Sequence, residues 1–224
     1  MRQWPNDPTV AHLILVDHHT VPTREEIDAA TEHARAKGAR AIRTSALFPD
    51  AAEVVLSTGF TPLDQLALLQ IQLDQSTVRR LGEPAHRIRS MTPWSHHVAA
   101  RVDQRAFGPL WGNDTSSLRD IRSATPIHRA RMVRIGRRIA GFALSGAAAD
   151  SGYVQRVAVD PGHRRVGIAR DLVVDALTWM YADRRKRALV NTAVDNEPAL
   201  ALYEGLGFTR LPDVLTIAER STHE

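Results

Sequence analysis

Residues 155–172 read Gln-Arg-Val-Ala-Val-Asp-Pro-Gly-His-Arg-Arg-Val-Gly-Ile-Ala-Arg-Asp-Leu, and the fold is decided here. From Tyr153 to Val159 the residues alternate and β-branch like a strand, and Pro161 with Gly162 ends strand pairing because proline offers no N–H. From Ala169 the spacing turns helical, with Leu172, Val173, Ala176, Leu177 and Met180 on one face. The element therefore reads strand, tight loop, helix. Between them Arg164-Arg165-Val166-Gly167-Ile168-Ala169 sets a glycine that lets backbone approach a ligand before a helix whose first N–H groups point outward. That arrangement suits a phosphate.

A second stretch, residues 191–208, reads Asn-Thr-Ala-Val-Asp-Asn-Glu-Pro-Ala-Leu-Ala-Leu-Tyr-Glu-Gly-Leu-Gly-Phe: a strand end, Asn196, a short helix with Tyr203, then Gly207-Phe208. Asn196 precedes Pro198, a residue favoured in a first helical turn, and as a bare residue reads as a cap or turn. Taken together the two stretches resemble the GNAT superfamily of acyl-CoA-dependent N-acetyltransferases. Arg164-x-x-Gly167-x-Ala169 matches its Arg/Gln-x-x-Gly-x-Gly/Ala signature, and Asn196-x-x-Ala199-x-x-x-Tyr203-x-x-x-Gly207-Phe208 its second motif.

The resemblance implies an α/β (α+β) fold with a mixed, mostly antiparallel sheet, whose central strands splay and are flanked by helices. It implies acetyl-CoA as cosubstrate and an amine of a small molecule or protein as acceptor. The arm of the cofactor would lie along the main chain of Val157 and Val159, with the Val157 N–H polarising the thioester carbonyl. Arg164, Arg165, Val166, Gly167, Ile168, Ala169 and Arg170 would hold the pyrophosphate, and Asn196 would hydrogen-bond the arm. Tyr203 would protonate the departing thiolate as general acid. The glutamate that some members carry early on this strand is replaced by Tyr153. Asp195, Glu197, Asp150 or Asp103 acting through water, or no dedicated base, all stay open.

The composition of the 224 residues sets limits. Hydrophobic residues make up 43% and aromatics 5%, enough for a substantial core. With no cysteine, disulfides and thiolate chemistry are excluded. No run approaches the roughly 20 apolar residues of a membrane span, and residues 1–9 lack the apolar core of a signal peptide, so the expectation is a cytoplasmic protein. A formal charge of +4 carried almost wholly by arginine suits an anionic cosubstrate and argues little for nucleic acid. No Gly-x-Ser-x-Gly elbow and no Walker loop occurs. Asp17-His18-His19 and His96-His97 lack the partner spacing of a metal site. A homodimer and a non-catalytic acyl-CoA-binding or scaffold role are left open.

In chain order, Ala11–Val16 reads as a strand, and Thr23 with Glu25 and Glu26 starts a helix that runs to Gly38. Residues 39–46 read as a strand, 50–58 as a short helix and 66–73 as a strand. Setting Gly59-Phe60 on Gly207-Phe208 brings Thr44 onto Thr192, Ala51 onto Ala199, Thr61 onto Thr209 and Leu63 onto Leu211 without a gap. Residues 1–80 then read as a degenerate partial repeat of the same βαβ unit, with Phe48 and Val55 where Asn196 and Tyr203 stand, and Val16-Asp17 matching Val159-Asp160. Residues 81–224 read as the complete module. Polar residues 76–83 predict a linker, 85–91 a first strand, Ser95 a helix cap, and Thr115 or Ser116 a second cap. These two helices are expected on the acceptor side. A hairpin follows around Gly136, then strands at 152–159, 188–192 and 214–218.

Overall fold

The computed structural model describes residues 2–5, 7–15 and 20–222. Two compact units interleave along the chain: the first takes residues 1–68, 191–197 and 210–224, the second residues 69–190 and 198–209. The division falls within a strand at Leu68–Leu69, not at residues 79–83, and the last strand belongs with the first unit.

In the first unit, β1 (Arg2–Trp4) and β2 (Asp7–Leu13) form an antiparallel pair. β2 lies parallel to β3 (Ala41–Thr44), and β3 is antiparallel to the end of β10 (Thr209–Ser221). Helix α1 (Arg24–Ala36) begins where expected, with Thr23 and Glu26 forming a reciprocal capping box that satisfies two otherwise orphaned N–H groups. Helix α2 (Pro49–Leu56) follows. Ile27, Ala34, Ile42, Leu47, Val55 and Phe60 form the core of this unit. The strand predicted at 11–16 lies earlier, at 7–13; Val16 and Asp17, like the Asp17-His18-His19 cluster, fall outside the described residues.

β4 (Thr61–Gln72) and β9 (Arg187–Ala193) each run from one unit into the other along the chain. In the second unit the expected linker is instead helix α3 (Gln75–Leu81), capped by Asp74, whose carboxylate accepts from Thr77 N–H at 2.7 Å. Its polar composition hides the buried Thr77 and Leu81. β5 (Ile88–Ser90), β6 (Ile127–Ile135), β7 (Arg138–Ala148) and β8 (Ser151–Val159) are successively antiparallel, and β8 then lies parallel to β9. Helices α4 (His96–Trp111) and α5 (Thr115–Ser123) pack on one face through Ala99, Val102, Leu118, Phe142, Leu144 and Ala158. Helix α6 (Ile168–Ala182) covers the other through Ile168, Leu172, Ala140 and Ala143. Helix α7 (Glu197–Leu206) leads into Phe208.

Two caps differ from expectation. Ser95 makes no capping bond, because a short 3₁₀ turn over Pro93–Ser95 precedes α4 and its hydroxyl meets that of Thr92 at 2.9 Å. Asp114, rather than Thr115 or Ser116, caps α5, accepting from Ser117 N–H at 2.7 Å.

Candidate active site

Strand β8 builds the site. Its pairing with β7 runs the full length, but Leu144 opposes Arg156 while Ser145 opposes Val154, so Gln155 is an extra residue, a β-bulge. A bulge bends its strand and increases its twist. On the other edge, β8 pairs with β9 only where Ser151, Gly152 and Tyr153 meet Arg187, Ala188 and Leu189. Among the described residues, β8 therefore leaves its parallel neighbour just where the bulge bends it.

The alternation of a strand fixes which peptide groups face that open edge. Asp160 N–H donates to Ala140 O of β7 at 2.9 Å, and main-chain groups of alternate residues point the same way. Ala158 therefore faces β7, while the N–H and C=O of Val157 and Val159 face away from it. Their side chains pack with Ile168 and Leu172, which holds this edge in place.

At the end of β8 the chain turns through Pro161–His163, where Asp160 accepts from Gly162 N–H at 3.1 Å. The Arg105 guanidinium, 3.0 Å away through Nε, and the Gly162 amide hold the Asp160 carboxyl below the usual carboxylate range. His163 lies in this loop with Nδ1 3.7 Å from Asp160. Arg165 and Gly167 both adopt left-handed backbone, at φ 65° and 86°, a conformation that costs a non-glycine residue about 1–2 kcal/mol. Gly167 is the N-cap of α6 and supplies no side-chain capping bond, so the first N–H groups, at Ile168, Ala169 and Arg170, keep their donors and the positive end of the helix dipole. Ile168 is buried, anchoring the helix start, while Val166 is 55% exposed. Arg164 donates to Ala106 O at 3.0 Å and Arg170 to Leu81 O at 2.8 Å. These two arginines thus brace the turn against neighbouring elements.

Tyr203, on α7, is 6% exposed and meets the Phe208 ring edge-on at 5.5 Å between centroids. Burial pushes its phenol up to about 12, against the opposing pull of the Arg156 charge. Arg156, on β8, was not singled out from the sequence. Its Nε and Nη2 donate to both Asp103 oxygens at 2.8 Å, Nη2 donates to Trp111 O at 2.7 Å, and the guanidinium lies 3.6 Å from the Phe107 ring centroid. Asp103 is fully buried and also accepts from Asn113 N–H at 2.7 Å. Asp103 is thus a structural anion, and its place among the candidate bases is withdrawn. Asp150 accepts from Ser151 Oγ at 3.1 Å. His96 is buried with Nδ1 3.1 Å from Thr92 O, while its buried Nε2 has no partner among the described residues.

Asn196 belongs to the other unit. Its Nδ2 donates to Thr192 Oγ1 at 3.1 Å and its N–H to Ala193 O at 3.0 Å. In that unit Asp64 is held above the usual carboxylate range by burial and by the Asp195 charge. The second unit therefore contains Val157, Val159, the turn from Arg164 to Arg170, and Tyr203. The Arg156–Asp103 pair, 53 positions apart in sequence, could not be found from local pattern.

The profile of the Acetyltransferase (GNAT) family matches residues 92–208, just over half of the chain. The N-alpha-acetyltransferase 30 of Saccharomyces cerevisiae is 40% identical over 60 residues, 27% of this chain and 34% of that protein. A mycothiol acetyltransferase of Frankia alni is 45% identical over 74 residues, 33% of this chain and 22% of that protein. The chain thus spans about a third or less of the length of these relatives. Among solved structures, a tandem GNAT protein from the clavulanic acid biosynthesis pathway superposes with a TM-score of 0.67 at 17% identity, over 90% of this chain and 70% of that one; this likeness speaks for the fold. With the bulged strand, the uncapped α6 start and the family profile falling on the same residues, the chain belongs to the acetyltransferase (GNAT) family.

Proposed function

We propose that this chain is an acetyl-CoA-dependent N-acetyltransferase that moves the acetyl group directly from the thioester to a primary amine of a small molecule or peptide. The observation that carries this reading is the bulge at Gln155, after which Val157 and Val159 turn their peptide groups to an edge that β9 has left. Unpaired main-chain groups favour a ligand that bonds like a strand, and the amide-bearing pantetheine arm is one. The first turn of α6 and the backbone from Arg165 to Arg170 would receive the pyrophosphate.

In the transfer, the amine nitrogen attacks the thioester carbonyl carbon, the C–S bond breaks, and an amide and free CoA form. Val157 N–H would stabilise negative charge on the carbonyl oxygen, a pre-aimed main-chain donor being suited to that task. Tyr203, protonated throughout the neutral range, would give its proton to the leaving thiolate; the proton lost by the nitrogen passes to solvent and the phenol is restored. Proximity of the two bound reactants supplies much of the acceleration.

The front unit supports a duplication. Gly59 and Gly207 share left-handed φ of 89° and 97°, Phe60 and Phe208 are both buried, and α2 begins at Pro49 as α7 begins at Glu197, the same separation as between the two glycines. We read residues 1–80 as a degenerate copy that keeps the βαβ framework without the cofactor chemistry.

Calorimetry with acetyl-CoA and thiol release over a panel of small amines and free-N-terminus peptides tests the reading. Binding with release of CoA and an acetylated product is expected. No binding refutes it, and binding without transfer to any amine favours a non-catalytic acyl-CoA-binding role.

A further inference from the structure

The bulge does more than bend β8. Gln155 and Arg156 together oppose the single residue Leu144, and Arg156 points to the α4–α5 face, where it holds Asp103. Gln155 is the extra residue, the position at which a bulge re-aims a side chain. Its Oε1 is buried and has no hydrogen-bond partner. A buried acceptor left unbonded bears its full desolvation penalty, and such orphans call for an explanation. Arg156 does not satisfy it: Nε and Nη2 serve Asp103 and Trp111 O, the guanidinium face lies over Phe107, and Gln155 Oε1 is left without a donor.

The spacing identifies what satisfies it. Gln155 stands two residues before Val157, about 7 Å along the strand at ~3.3 Å per residue. If Val157 N–H bonds the thioester oxygen, the attacking nitrogen sits about 3–3.5 Å beyond the carbonyl carbon, within reach of a side chain rooted there. We propose that Gln155 is the residue that receives the acceptor amine, its Oε1 accepting an N–H from the neutral amine and aiming the nitrogen lone pair at the carbonyl carbon. A neutral amide beside a guanidinium already paired with a carboxylate offers no net negative charge to retain an ammonium ion. The ligand is therefore an uncharged primary amine. This inference rests on the transferase reading above and specifies its acceptor side.

The test compares wild type with Gln155→Met, which keeps the bulk and removes the acceptor, and with Gln155→Ala. Thiol release is followed with glycinamide and with a free-N-terminus tetrapeptide. The expected result is a fall of about tenfold or more in kcat/KM for the amine, the scale of one lost hydrogen bond. Calorimetric affinity for acetyl-CoA stays unchanged and the melting temperature is not lowered, since the orphaned atom is gone. Independently of turnover, the side-chain amide resonance of Gln155, identified by its loss in Gln155→Ala, shifts when glycinamide is added to the wild-type protein with CoA. Unaltered amine kinetics in Gln155→Met, or no shift with glycinamide or the peptide, overturns the proposal. Failure of the transferase reading appears separately, as wild-type protein that releases no thiol.

Discussion

Replacing Tyr203 by phenylalanine removes one hydroxyl and leaves the ring against Phe208, so this variant isolates the proton. The phenol is pushed up to about 12 from an ordinary 10.0, which favours the protonated form in the fold by about 3 kcal/mol. Tyr203 thus holds its proton across the whole range in which an amine is acetylated, the state a general acid needs. Arg156 acts in the opposite sense, easing the phenolate that forms when the proton leaves. Loss of a positioned acid costs about 10²–10⁴ in rate, so Tyr203→Phe should lower kcat by at least about a hundredfold with calorimetric affinity for acetyl-CoA unchanged. The assay is thiol release at saturating amine and acetyl-CoA. The same raised pKa links to stability: above the unfolded value near 10 the unfolded chain releases the proton while the native phenol keeps it, so stability falls as pH rises from about 10 to 12. Tyr203→Phe should lack that alkaline loss, and its ultraviolet tyrosinate titration should lack the phenol that ionises near 12. An unchanged kcat, or a wild-type titration with no phenol raised above the ordinary value, would rule out Tyr203 as the acid.

Gly167→Ala forces a Cβ onto a left-handed residue where, among the described residues away from its chain neighbours, the Cβ would meet only His86 Cε1, at 3.9 Å. The cost is therefore backbone strain of about 1–2 kcal/mol, with weaker acetyl-CoA binding by calorimetry and a lower melting temperature. Asp103→Ala leaves Arg156 largely buried without its carboxylate and should destabilise by about 3–5 kcal/mol in urea unfolding; an undiminished midpoint would contradict the structural role of the pair. In the first unit, burial beside Arg2 and Arg43 lowers the His12 pKa to about 4. The unfolded chain binds this proton near pH 6.5 while the native one does not, so stability is lost as pH falls from about 6.5 to 4. His12→Leu should flatten that acid limb in urea titrations.

Much of this architecture is legible because local chemistry and tertiary position agree. Thr23 and Glu26 cap α1 where their spacing says, Gly136 turns the β6–β7 hairpin at φ 58°, and the residues from Arg164 to Arg170 do form the turn and first turn of α6. What escaped did so for physical reasons. Strand β1 is three residues long and gains its order from pairing with β2 rather than from its own pattern. Helix α3 reads as a linker because six of its seven residues are polar or β-branched; Asp74 and the burial of Leu81 settle it. β10 extends beyond residues 214–218 because it pairs with β3 at Glu219–Ser221, a partnership no local window contains. In the site, the bulge at Gln155 is a property of two strands in register, and the Asp103–Arg156 pair a property of a helix laid across a sheet. Neither leaves a mark in the sequence around it.

In the proposed function, acetyl-CoA completes the open edge of β8 and caps α6. Amide hydrogen exchange with and without acetyl-CoA measures this residue by residue. New protection is expected at Val157, Val159, Ile168, Ala169 and Arg170, with Ala158, already turned toward β7, unchanged. Exchange at these amides unaltered by saturating acetyl-CoA would contradict it.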